Sequence, residues 1–79
     1  MDNNTFYTKL QEMLELNHSV SGSTALNDLA EWDSIAVISF IALADAEYAA
    51  TVPPQRIAQC STVDDLASLI DEFSARPAE

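Results

Sequence analysis

A chain of 79 residues with 48% hydrophobic content makes one small domain, 1–79, near the lower size limit for a self-sufficient core, and it is too apolar to remain disordered. Thirteen acids stand against Lys9, Arg56 and Arg76, a net charge of −10 that repels nucleic-acid backbones, disfavours anionic membrane surfaces and selects partners with basic surface. A lone cysteine, Cys60, excludes a disulfide framework. The beginning lacks the basic start and apolar run of a signal peptide, and the longest uncharged apolar run, 34–44, is too short to span a bilayer, so a cytoplasmic protein without membrane insertion is expected.

The composition, with one glycine, three prolines and abundant alanine, leucine and glutamate, favours helices. The spacing predicts a first helix over 4–16. Phe6, Leu10, Met13 and Leu14 share one face, Lys9, Glu12 and Glu15 the other, and Asn17 with His18 marks its end, asparagine being suited to a left-handed terminal position. A polar loop of Ser, Thr, Asn and Asp follows over 19–33. Loops this long are functional or tied down, and Val20, Leu26, Leu29 and Trp32 are its candidate anchors, with a turn of helix near 26–29.

A second helix is predicted over 34–48, with Ile38, Ile41, Ala44 or Asp45, and Tyr48 at helical spacing. The run is too long and too poorly alternating for a strand. Thr51, Val52 and Pro53 end it. Pro54 opens a short third helix over 54–59, since proline is tolerated in a first turn. Thr62 and Asp65 form a capping-box variant that starts a fourth helix over 63–74, with Val63, Leu66, Leu69 or Ile70, and Phe73 facing inward, and Arg76 and Pro77 belong to a frayed tail. The expected fold is all-α, a small four-helix bundle of three main helices and one short one, with a long loop between the first two.

Asp33-Ser34-Ile35 is the chemically informative point. Asp33 can cap the second helix by accepting the unpaired N–H groups of its first turn. Ser34 then lies at the positive end of the helix dipole, where an attached phosphate is electrostatically favoured. An unmodified first-turn serine is the plainer alternative. His18 and Cys60 suggest no nucleophile pair, because no third group orients them, and they read as a helix-end residue and a small core residue. Asp64, Asp65, Asp71 and Glu72 lack the spacing of a calcium loop and read as first-turn charges and a solvated face, so no metal ligands and no catalytic residues are expected.

Leu29-Ala30-Glu31-Trp32-Asp33-Ser34-Ile35, the long loop before it, the Val52-Pro53 break and the Ser61-Thr62-Val63…Leu66…Leu69-Ile70 ending together resemble an acyl carrier protein of the phosphopantetheine-dependent kind, over nearly the whole chain. The resemblance implies that Ser34 carries 4′-phosphopantetheine, transferred covalently from coenzyme A by a phosphopantetheinyl transferase, and that Asp33 helps that transferase position its metal and coenzyme A. The thiol of the arm would hold an acyl group as a thioester, and the monomeric carrier would present it without catalysing anything. Loading partners implied are an acyl-loading ligase or a ketosynthase or acyltransferase with basic surface.

The family's outward partner stripe maps to Ile35, Ala36, Ser39, Ala42, Asp45 and Ala46, mostly small and neutral. Trp32 is either a recognition aromatic beside the site or a loop anchor against Leu29. Fatty-acid carriers usually have Gly before Asp-Ser and several acids along the second helix. Here Trp32 precedes Asp33, and the acids gather around the helix ends at Asp28, Glu31, Asp33, Asp45 and Glu47, which looks like stand-alone carriers of specialised pathways. An aminoacyl or D-alanyl carrier of the same fold, and an unmodified acidic helical adaptor, are the competing readings.

Overall fold

Phe6, Leu10 and Leu14, four residues apart, bury one stripe of the first helix, α1 (Asn3–Leu14), and that stripe seeds the core. The computed structural model describes residues 3–74. After α1 come a 3-10 turn (Leu26–Asp28) and three further helices, α2 (Ser34–Tyr48), α3 (Pro54–Ala58) and α4 (Val63–Phe73). Among the described residues there are four α-helices and, in place of a sheet, two isolated bridges, Ala25 with Thr62 and Ala50 with Ser74. The all-α bundle with its long first connection is the architecture expected.

α1 ends two residues earlier than its periodicity predicts. Glu15, not Asn17, takes the left-handed position (φ 56°). Its N–H donates to Glu12 O at 3.1 Å and that of Leu16 to Gln11 O at 3.0 Å, the two bonds of a Schellman motif. Leu16 is then buried, and this apolar contact outweighs the roughly 1–2 kcal/mol that a side-chain-bearing residue costs in left-handed backbone.

The buried face of α2 differs from the expected one. Ile38 is 66% exposed, and the line that turns inward is Ala36, Phe40 and Ala44, with Ile41 and Tyr48 at its margin. The helix is apolar all round, so periodicity does not choose a side. Phe40 does, because its ring meets Phe6 edge-on at 6.2 Å while Ala36 and Ala44 let the backbone approach closely. Burying Phe40 contributes about 1.5–3 kcal/mol by area alone.

Proline starts α3, and Ile57 seats it on the core. Arg56 forks onto Glu72 of α4 at 2.7 and 2.9 Å and lies 5.4 Å over the Phe73 ring. Lys9 pairs with Glu47 across α1 and α2 at 2.9 Å. All four partners of these ion pairs are a third to a half exposed, so each pair contributes at most about 1 kcal/mol. α4 has the expected capping box, with Asp65 N–H donating to Thr62 Oγ1 and the Thr62 N–H to Asp65 Oδ2. It buries Val63, Leu66, Ala67, Leu69 and Ile70, with Phe73 half-buried. Arg76 and Pro77 lie outside the described residues.

The long loop is tied down. Leu26 N–H donates to Ser61 O, Val63 N–H to Thr24 O and Asp64 N–H to Gly22 O, at 2.9 to 3.1 Å. Gly22 has no positive φ. Its lack of a side chain matters sterically, since a Cβ there would collide with the Asp64 carboxylate. That carboxylate also accepts the Tyr7 hydroxyl at 2.6 Å, which holds the Tyr7 pKa above its ordinary value, the hydrogen bond to Asp64 being the main cause. Val20, Leu26 and Leu29 are buried, as their anchoring role requires.

Candidate functional site

Asp33 has extended backbone (φ −128°, ψ −169°), and its Oδ1 accepts the Ala36 N–H at 2.9 Å while its main-chain oxygen accepts that of Val37 at 3.0 Å. The cap is formed as expected. The N–H groups of Ser34 and Ile35 have no acceptor among the described residues, so the first turn of this fifteen-residue helix keeps two donors at its positive end. Ser34 is exposed and is the first helical residue. A phosphate ester on its hydroxyl would meet open space, two free amide donors and the helix dipole, so these residues fit a serine-linked phosphodiester.

The stripe expected to face partners is placed unevenly. Ile35 is 73% exposed, Ala42, Asp45 and Ala46 are exposed, and Ser39 is half-buried. Ala36 is a correction. It is only 5% exposed, because it is the third helical residue and lies one turn before Phe40 on the inner face. Ile38, which the spacing placed inside, joins Ile35 outside, and these two are the exposed large hydrophobic residues among those described. The signal for it was present in the sequence, since a helix apolar all round and packed on one side must expose apolar residues on the other.

Trp32 is half-buried. Its ring meets Phe40 edge-on at 6.2 Å, and its main-chain N–H donates to Leu29 O at 3.0 Å. Around the site Asp28, Glu31 and Asp33 are exposed acids. The two described cations, Lys9 and Arg56, are engaged with Glu47 and Glu72 and neutralise none of them.

His18 and Cys60 are not brought into a pair. His18 Nδ1 lies 3.2 Å from Ser19 O, and Cys60 Sγ donates to Arg56 O at 3.5 Å. Burial first, and then the Asp65 charge, push the Cys60 thiol up to about 11, the reverse of an activated nucleophile. A shallow groove between α3 and α4, lined by Arg56, Cys60, Asp65, Leu69 and Glu72 among others, includes neither Asp33 nor Ser34. Its Asp65 is engaged in the cap, where the N–H groups of Ser61 and Thr62 hold its carboxyl below the ordinary carboxylate range. Among the described residues no cluster of three metal-ligating side chains occurs, and no helix is long and apolar enough to cross a membrane.

The family model described as "Phosphopantetheine attachment site" matches residues 4–70, from the second residue of α1 into the last turn of the α4 core stripe. Neither the curated proteins nor the solved structures give a match. A match over most of the chain, in a four-helix bundle whose second helix opens on an exposed serine, establishes that the chain belongs to the phosphopantetheine attachment family, whose members carry 4′-phosphopantetheine covalently on a serine.

Proposed function

We propose that Ser34 is the serine that carries 4′-phosphopantetheine and that the chain delivers acyl intermediates to the enzymes of a fatty acid, polyketide, lipid or surface-polysaccharide type pathway. One observation carries the assignment of the site: within the matched region, Ser34 is an exposed serine at the open, capped entry of a long helix. When attached, the arm supplies a thiol that holds cargo as a thioester. The chain's own residues present the arm. Asp33 orders the first turn, the remaining first-turn donors and the dipole favour the phosphate, and the bundle holds the α2 entry away from the core.

The surface around Ser34 indicates how partners dock. Ile35, Ala42 and Asp45 with half-buried Ser39 form the contact face, to which exposed Ile38 is added and from which buried Ala36 is removed. Acids at Glu31, Asp33 and Asp45 border it, so the phosphopantetheinyl transferase and the loading ligase, ketosynthase or acyltransferase approach with a basic rim around an apolar contact. The small, neutral centre of the stripe supports a stand-alone carrier of a specialised pathway.

The test is intact mass of the purified apo chain after incubation with coenzyme A, magnesium and a broad-specificity phosphopantetheinyl transferase. Wild type is expected to gain one phosphopantetheine and Ser34→Ala none, with an unchanged helical circular dichroism spectrum. Loading of Ser34→Ala would move the attachment to another residue. Absence of loading on wild type with several transferases would support an unmodified acidic adaptor instead.

A further inference from the structure

Between Leu29 and Ala36, both buried, run six residues of which five are exposed: Ala30, Glu31, Asp33, Ser34 and Ile35. Trp32 is the one side chain of that stretch that turns inward. We infer that Trp32 is a positioning residue for modification of Ser34, acting by pinning the chain at the residue before the Asp33 cap; the inference rests on Ser34 being the attachment serine.

Two contacts hold Trp32, and a third carries its anchor into the core. Its main-chain N–H closes a turn onto Leu29 O at 3.0 Å. Its indole meets the Phe40 ring edge-on at 6.2 Å and 67°. Phe40 in turn meets Phe6 of α1 edge-on at 6.2 Å and 73°, and both phenylalanines are fully buried. The aromatic series Trp32–Phe40–Phe6 therefore runs from the residue before the helix cap to the centre of the core. A hydrophobic residue before an N-cap ordinarily packs on the fourth helical residue and fixes the angle at which the chain enters. Trp32 reaches nearly a turn further, to the seventh, which its larger ring allows.

The consequence falls on Ser34. The cap bond from Ala36 N–H to Asp33 Oδ1 needs Asp33 extended and correctly directed, and Asp33 has no packing of its own to enforce this. Removing the indole leaves the attachment serine in a stretch whose only buried side chains are those of Leu29 and Ala36, at its two ends. A nucleophile displaced by about 1 Å can lose as much as a hundredfold in rate, so orientation at this point is worth protecting.

The experiment follows apo wild type, Trp32→Ala and Trp32→Phe by native-state hydrogen exchange and by time courses of phosphopantetheine loading read as intact mass. In Trp32→Ala the Ala36 amide is expected to exchange about tenfold faster relative to the Ala67 amide of α4, since exchange follows local opening. Loading kcat/KM is expected to fall about tenfold or more, mainly in kcat. Trp32→Phe, which keeps an aromatic edge against Phe40, should restore most of both. Three results would overturn the inference: an unchanged Ala36 amide; a loss of protection equal in α2 and α4, which marks Trp32 as ordinary core; or a Trp32→Phe chain with wild-type Ala36 protection that still loads as slowly as Trp32→Ala, which makes the indole a direct transferase contact. Failure of wild type itself to load would strike the attachment assignment, while the Ala36 exchange comparison would still read the anchor.

Discussion

The entries to α2 and α4 are built from the same local chemistry and left in opposite states. Each has a side-chain cap, from Asp33 to Ala36 N–H in one and from Thr62 to Asp65 N–H in the other. At α4 the remaining donors are closed off. Thr62 N–H goes to Asp65, Val63 N–H to Thr24 and Asp64 N–H to Gly22, and Val63 is completely buried. At α2 the N–H groups of Ser34 and Ile35 stay open and both residues are exposed. A helix start offers an anion site only where nothing else takes its donors. The long loop supplies that difference, since it folds its first half over α4 and leads with its second half into α2.

The contrast can be broken most severely at Gly22. Gly22→Val would drive a side chain into the Asp64 carboxylate, where α4 and the loop meet, and is expected to cost about 1–3 kcal/mol of stability, read by urea denaturation. An undiminished midpoint would mean that the loop can leave α4 without consequence. The caps sharpen the contrast further. Thr62→Ala and Asp33→Ala should each cost about 1 kcal/mol, yet only Asp33→Ala should slow phosphopantetheine loading. Equal loading rates in the two variants would show that order at the α2 entry does not govern modification.

Acid provides a gentler probe of the α4 entry alone. The Ser61 and Thr62 N–H groups depress the Asp65 pKa in the folded chain, so Asp65 contributes stability that is present above its ordinary value of 3.8 and is lost as pH falls through the lower folded value. Asp65→Asn is expected to flatten the fall in melting temperature across that interval. A slope equal to that of wild type would assign acid sensitivity to other carboxylates. The smallest effect on stability is expected at Ile35. Ile35→Asp places a charge on a largely exposed position and should change stability by no more than about 0.5 kcal/mol while weakening partner processing. A large drop in melting temperature would put Ile35 in the core instead.

Most of the architecture was legible in the sequence, because it rests on local rules. The four helices, the proline start of α3, the capping box at Thr62 and Asp65 and the Asp33 cap all involve residues within a turn of one another, where spacing and side-chain type suffice. The failures are equally physical. Asn17 looked like the end of α1, but burial of Leu16 pulled the turn back to Glu15, and Ile38 looked like core because an all-apolar helix has no periodicity from which to read a face.

What the sequence by itself determined, then, is that an acidic, glycine-poor chain forms helices with a serine beside a capping aspartate. What only the tertiary structure decided is which side of α2 turns inward and which helix start remains open. Both depend on partners distant in sequence, Phe6 against Phe40 and Gly22 and Thr24 against the start of α4, and such contacts are selected by packing volume and by competition for donors, which no local pattern encodes.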